Sequence, residues 1–375
     1  MEEIFWICIF FIGIIFLNPL LLGLISLLTR KPQPIFSLRF EPSISSVTIA
    51  RSPEEIWSRL ESDFDYDYPR DKIERIIYFD GVPDLEKIQK RFPEVIFLSS
   101  QERKGKNQAM NSAFLRCQNE IIVYSDADVL FFPDTVKNLV RHFQDPTVGG
   151  VCGRIDLIQE GDDFIKAQGR YFRFDRRIKL LESRLGSIST NSGALYAIRR
   201  SLFEPIPLTV TDDLFICLMI HRKGYRFVYE PDAKVQMRAS SRHAKDEIKR
   251  RRRIVCRSLT GLWMMRRIFN PLKFSLFSFS LFLNKVLRRF LPLFLLLLGL
   301  SNMFLIRVHF TYVLFFLAQL VFYFSAILYP AVSKFRGENK ISKKWFSIPY
   351  YFVVGNWGTL LGLSDFLKGR RVVRW

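Results

Sequence analysis

From Ile4 to Leu28 the chain carries no charge, and near its other end Phe290–Ile306, Val308–Ser333 and Trp345–Ser364 are charge-free as well. The first stretch is long enough to span a hydrocarbon core of about 30 Å. A chain with such ends is expected to fold as a polar body tied to apolar helices. Glu2 and Glu3 precede the first stretch, and Arg30 and Lys31 follow it. It lacks the basic start and small-residue end of a cleaved signal peptide, so residues 1–30 read as a retained transmembrane anchor. The positive-inside rule then places Arg30 and Lys31 in the cytosol. Residues 287–375 read as about three transmembrane helices. Asn270–Lys285 is too short to span and rich in Phe, so 269–286 reads as an interfacial helix. Three spans would put Lys368–Arg371 outside, against the same rule; alternatively the last segment, with Gly355, Gly358 and Gly362, is re-entrant.

The charge balance is 56 Lys and Arg against 36 Asp and Glu, a net +20. Such an excess attracts anionic lipid headgroups or the phosphates of nucleotides or nucleic acid. The 5 cysteines are scattered and form no CxxC pair, and there are only 4 His, which argues against a structural zinc site or a disulfide framework. The polar part is expected in a reducing compartment.

Between residues 35 and 268, β-branched apolar runs alternate with helix-like stretches. The predicted strands are Ile44–Ala50, Ile73–Phe79, Val95–Leu98, Glu120–Tyr124, Val148–Cys152 and Gly193–Ile198. The predicted helices are Pro53–Ser62, Lys106–Cys117, Pro133–Phe143, Phe164–Leu181, Asp213–Arg222 and Ala244–Ile268. Alternation of this kind gives an α/β fold, a mainly parallel sheet covered on both faces, with ligands at the carboxyl ends of strands.

Asp126 and Asp128 lie where the apolar run Glu120–Tyr124 gives out into Ser-Asp-Ala-Asp. At i and i+2 both can face one side, a donor set suited to a hard divalent cation also held by phosphates. The same residues could instead form a solvated turn. Asp80-Gly81 ends an earlier strand, either as an ordinary turn or as an acceptor for a base edge or ribose. Lys104-Gly105-Lys106 opens a helix, whose amide start favours anions, although the P-loop spacing is absent. Thr211-Asp212-Asp213 precedes a buried-looking helix; it reads either as a cap with first-turn acids or as the source of a general base. Arg250–Arg253 and Arg257 form a basic run beside the apolar end. Arg253 and Arg257, at i and i+4, could grip a diphosphate, while others face lipid headgroups or solvent. No nucleic-acid partner is expected, because the run abuts a membrane segment.

The order of these pieces, with Asn191-Ser192-Gly193-Ala194 and Gly224-Tyr225-Arg226-Phe227-Val228-Tyr229-Glu230-Pro231 between them, resembles membrane-integrated family 2 glycosyltransferases. That group contains the cellulose, hyaluronan and poly-N-acetylglucosamine synthases, and the likeness spans roughly residues 42–375. It implies a GT-A-like doubly wound mixed sheet in a cytosolic domain over residues 35–268. It also implies a nucleotide-diphosphate sugar donor, a glycan or lipid acceptor, and Mg²⁺ or Mn²⁺. By the resemblance Asp80 contacts the nucleoside, Asp126 the nucleotide or sugar, and Asp128 the metal. Gly193 and Ala194 lie near the acceptor. Asp213 is the base, and Arg250 and Arg253 match the Gln and Arg of the Gln-x-x-Arg-Trp motif. The chain departs from the family at Arg51–Glu55, at Asp212 for Glu, and at Ile254 for Trp. The resemblance implies an inverting, multi-pass enzyme of a cell membrane, of bacterial inner-membrane type. The alternative is a membrane-anchored basic module binding anionic lipid or nucleic acid without catalysis.

Overall fold

The computed structural model describes residues 1–28, 36–37, 39–57, 60, 67–82, 84–158, 163–238, 243–333 and 340–370. Eight strands form one sheet: β1 (Ile44–Ala50), β2 (Ile73–Asp80), β3 (Ile96–Ser100), β4 (Ile121–Asp126), β5 (Val129–Phe131), β6 (Val148–Leu157), β7 (Leu195–Arg199) and β8 (Arg226–Met237), in the order β3-β2-β1-β4-β7-β6-β8-β5. The β1–β4 half is parallel, whereas β7 runs antiparallel to both β4 and β6. The sheet is therefore a mixed GT-A-type α/β sheet. β4 sits at its centre because Ile121–Tyr124 are apolar and buried on both faces, as a central strand requires.

Two strands were not foreseen. β8 contains Pro231 and Asp232, both poor strand residues. They are accommodated at a break in register, where Cys152 pairs with Tyr229 and Arg154 with Lys234. β5 is only Val129–Phe131 and leaves little pattern to read.

The helices of the polar body are α1 through α7 after the N-terminal one is counted: α1 (Glu2–Leu28), α2 (Glu86–Arg91), α3 (Lys106–Phe114), α4 (Thr135–Val140), α5 (Asp163–Leu185), α6 (Asp212–Arg222) and α7 (Ala244–Met264). In α6 every residue from Leu214 to Ile220 is buried, because the helix lies inside the main core rather than on it. Part of the predicted helix Pro53–Ser62, and Arg30, Lys31 and Arg371, lie outside the described residues.

Beyond α7 come α8 (Pro271–Leu281), α9 (Leu291–Leu305), α10 (Phe310–Val332) and α11 (Lys340–Leu367). Between α8 and α9 the chain passes through a π-helical turn, Phe282–Val286, and a 3₁₀ turn, Leu287–Phe290. Among the described residues two helices, Glu2–Leu28 and Phe310–Ser333, are long and apolar enough to cross a membrane. α1 packs on α9 and α10: Phe11 stacks on Phe294 at 5.1 Å, and Phe5 meets Tyr312 edge-on at 5.0 Å. Phe10, Leu20, Phe304, Val321 and Ile327 point away from the protein.

α11, expected as a third span, is seated along α7 of the polar body. A Cβ added to Gly362 would come within 2.6 Å of the Arg252 carbonyl oxygen, and one at Gly358 within 3.0 Å of that of Ile248. Asp365 accepts hydrogen bonds from Arg252 and Arg370, and Glu247 accepts one from Tyr351 at 3.2 Å. Because backbone cannot yield as a side-chain tip can, Gly362→Ala is expected to cost roughly 1–3 kcal/mol. Thermal unfolding of the full chain in detergent checks this; an unchanged transition would mean that the two helices separate easily.

Candidate active site

The carboxyl end of β4 and the N-terminus of α6 are brought together by one lysine. Lys106, on the first turn of α3, places its Nζ 2.7 Å from Asp126 Oδ1 and 2.9 Å from Asp212 Oδ2. It also donates to the Gly193 carbonyl at 3.3 Å. Three segments predicted separately therefore converge on one ammonium group. The two carboxylates hold Lys106 protonated against the opposing effect of burial.

The loop that carries Asp212 and Asp213 is fixed from below. Asn107 donates to the carbonyls of Pro207 and Val210, at 2.7 and 2.9 Å. Asn111 exchanges two hydrogen bonds with the Ile206 backbone. Arg257, reaching from α7, donates to the Val210 and Leu208 carbonyls. The Lys-Gly-Lys…Asn stretch thus positions the acidic pair as well as meeting it.

Asp212 and Asp213 have opposite environments. Burial acts to raise Asp212, but Lys106 outweighs it and holds the carboxyl below the ordinary range. Burial, and then the negative charge of Asp212, push Asp213 above it. Asp213 Oδ1 accepts the Leu214 N–H at 2.7 Å. Gly193 faces it: φ is +74° there, and an added Cβ would lie 3.6 Å from Asp213 Cβ. Ala194 is buried and accepts the Asp126 N–H at 3.2 Å, so the 193–194 turn braces the end of β4. Nearby, the buried Tyr196 Oη and Asn191 Nδ2 have no hydrogen-bond partner among the described residues.

Asp128 is exposed to solvent, close to Asp126. Desolvation, and then the Asp126 charge, raise its carboxyl above the usual range. A site where like charges oppose ionisation suits a cation. Among the described residues no group of three or more His, Cys, Asp or Glu converges. Two carboxylates alone would leave most of the oxygen ligands of a hard divalent ion to other groups.

Asp80 holds the turn that follows β3. It is 2% exposed; Oδ1 accepts the Lys104 N–H at 2.7 Å and Oδ2 the Gly105 N–H at 2.9 Å. It fastens the turn that leads into Lys106, while the Lys104 side chain is exposed. Beyond β1 and β2 lies a cleft of about 600 Å³ lined by Pro53, Glu54, Trp57, Asp84, Lys87 and Ile88. The atypical stretch after β1 forms one of its walls.

The arginine run is largely paired. Arg250 and Arg251 share Glu247, which is fully buried, and Arg252 pairs with Asp365. Arg253 lies in the field of Asp212 and Arg51. The run is therefore not an open basic face. Arg250 sits beside Glu247 rather than the carboxylates, and Arg253 and Arg257 are the members in the field of the acidic pair. The sequence reading did not single out Asp175, Lys179 and Glu182 of α5. Lys179 donates to Ser192 Oγ at 2.9 Å and pairs with Asp175 at 2.8 Å. Their i, i+4, i+7 spacing was the available signal.

Removing the bridging charge leaves two carboxylates facing each other. Lys106→Met is expected to destabilise the fold by about 2–3 kcal/mol, less than for a fully buried pair because Asp126 keeps some solvent. Chemical denaturation measures it; a loss under about 0.5 kcal/mol would show that Lys106 does not hold the site together.

A strand-end carboxylate pair, a basic helix start and an acidic pair thus lie together on a mixed sheet of this order. Residues 48–206 match the model of glycosyl transferase family 2. It is 26% identical over 207 residues to poly-beta-1,6-N-acetyl-D-glucosamine synthase of Staphylococcus aureus, covering 52% of this chain and 46% of that protein. It is 26% identical over 194 residues to an N-acetylglucosaminyltransferase of Rhizobium meliloti, covering 46% and 45%. The chain thus spans about half the length of the curated relatives it matches. The fold is similar to that of the mannosyltransferase PcManGT from Pyrobaculum calidifontis, solved with GDP-Man and Mn2+. The TM-score is 0.70 at 20% identity, over 97% of this chain and 99% of that one.

Proposed function

We propose that the protein is an inverting glycosyltransferase. It moves a sugar from a nucleotide-diphosphate donor to a hydroxyl of a glycan or lipid acceptor, at the cytosolic face of a membrane. The observation that carries this reading is the Lys106 bridge, which joins the carboxylate at the end of β4 to the acidic pair of α6. One recess then holds groups for both the donor diphosphate and the acceptor.

Asp213 takes the acceptor hydroxyl proton, and its raised pKa suits a base working nearer neutrality. The acceptor oxygen attacks the anomeric carbon, and the bond from that carbon to the diphosphate breaks. The electron pair leaves on the nucleoside diphosphate, the proton stays on Asp213, and a single displacement inverts the centre. Lys106 and Arg253 supply positive charge toward the departing phosphate. Asp126 and Asp128 would hold Mg²⁺ or Mn²⁺, which when bound neutralises charge on the diphosphate. Asp80, which holds the Lys104–Gly105 turn, contacts the nucleoside, and the nucleoside lies toward the Trp57 cleft. Gly193 and Ala194 border the acceptor.

α1, α9 and α10 would lie in the bilayer. α11 remains on the catalytic side against α7, which returns the basic tail to the cytosol in keeping with the positive-inside rule. The relatives named above and the GDP-Man bound to PcManGT guide the choice of donors. Purified full-length protein is incubated with UDP-N-acetylglucosamine, GDP-mannose and other nucleotide sugars, with Mg²⁺ or Mn²⁺. The expected result is consumption of one donor and an inverted anomeric centre in the product by NMR. Retention of configuration, or no donor consumed by any combination, would defeat the reading.

A further inference from the structure

Behind Asp213, where the polar body meets the apolar helices, cations outnumber anions. Lys285, Arg288 and Arg289 come from the π-helical and 3₁₀ turns between α8 and α9, and Lys179 comes from α5. Among the described residues the anions beside them are Asp175, which pairs with Lys179, Glu182, which accepts from Ser280 and Asn284, and Asp213. Arg251, on the far side of Tyr171, already has Glu247. The guanidinium carbons of Arg251 and Arg288 lie 4.6 and 5.2 Å from the Tyr171 ring centre. Arg289 donates one hydrogen bond to Ser258 Oγ, but its buried Nη1 has no hydrogen-bond partner among the described residues. Lys285 and Arg289 are both close enough to Asp213 to interact with it electrostatically.

A concentration of half-buried cations is costly unless an anion joins it. A guanidinium nitrogen left without an acceptor points to where that anion sits. The π-helical turn has an i→i+5 repeat that re-aims Lys285, a distortion often found at functional sites. The cluster is at the level where exposed apolar side chains begin: Leu272, Leu276 and Phe279 on α8 and Phe282 just beyond it. A neutral glycan end would not need it.

We propose that this cluster binds a phosphate carried by the acceptor, so that the acceptor is a phosphate-bearing lipid entering from the bilayer. Its phosphate rests against Lys285, Arg288 and Arg289, and its hydroxyl-bearing part reaches Asp213. This rests on the transferase reading above and names the acceptor class for the same site.

The test uses full-length protein in nanodiscs of phosphatidylcholine. Acceptors are a polyprenyl diphosphate sugar, the same sugar on an uncharged lipid, and a free oligosaccharide. Wild type is expected to use the phosphate-bearing acceptor with a KM at least roughly tenfold lower than either neutral one. Lys285→Gln and Arg289→Gln are expected to raise that KM roughly 10–100-fold, with Lys285→Arg restoring much of it. Affinity for the nucleoside diphosphate with Mn²⁺, measured by calorimetry, should stay within about twofold in all variants, which also certifies their folding. Equal use of the neutral acceptors, or unchanged KM in Gln variants that bind nucleotide, overturns the proposal. So does a rate with a neutral acceptor that rises once phosphatidylglycerol is added, because the anion would then be bulk phospholipid. If wild type binds no nucleoside diphosphate, the transferase reading itself fails, a different outcome from loss of acceptor preference.

Discussion

Asp213→Asn is expected to lower kcat by roughly 10²–10⁴-fold while leaving donor affinity intact, the range for loss of a general base. The carboxyl is positioned by the Leu214 N–H and faces the Gly193 turn, so the amide fits the same space and the fold should survive. The pH profile adds a second readout. Asp213 acts only when ionised, and burial and Asp212 raise its pKa. Its proton is therefore kept to higher pH than on an ordinary carboxyl, and kcat falls as pH drops through that raised value. Asp212→Asn removes the neighbouring negative charge, so the acid limb should move to lower pH. A limb that moves upward, or an Asp213→Asn enzyme within about tenfold of wild type, would assign the proton to another group.

Asp128→Asn is expected to reduce turnover by roughly 10²–10³-fold, the scale seen when one group stabilising developing charge is lost. Removal of divalent ions by a chelator should do the same to wild type, with recovery on adding Mn²⁺. Asp126→Asn should behave differently, because Asp126 also pairs with Lys106 and its loss should lower stability as well as rate. Full turnover in metal-stripped wild type, or a near-normal Asp128→Asn, would remove the cation from the chemistry. Stability of Asp128→Asn should be near wild type, because the side chain is exposed and its ionisation is opposed by its surroundings.

Much of the sheet was legible because central strands are dense in β-branched residues and end abruptly in polar ones. Ile121–Tyr124 followed by Ser-Asp is the clearest case. β8 was not legible, since Pro231 and Asp232 contradict local propensity and are tolerated because β8 itself bulges there, running from Tyr229 to Lys234 while β6 runs only from Cys152 to Arg154. The place of α11 was hidden for another reason: hydropathy records that Trp345–Ser364 avoids water but not what covers it, and here part of the cover is α7. At the site, the acidic runs and Lys106 stood out by type and spacing. What spacing could not give was that Asp80 would be consumed by two backbone amides. Nor could it show that charges on α5 would turn inward, since an amphipathic helix with charges on one stripe ordinarily turns that stripe to water. Only the folded contacts with Ser192 and the α8–α9 turn reverse that expectation.

α7 has the glycine seam of α11 on one side and, on another, Arg253 and Arg257 beside the acidic loop. Backbone pressed against backbone leaves no compliant joint between the two. A substitution that pries α11 from α7 would therefore be felt at the acidic loop, through Arg257 and its hold on the Val210 carbonyl.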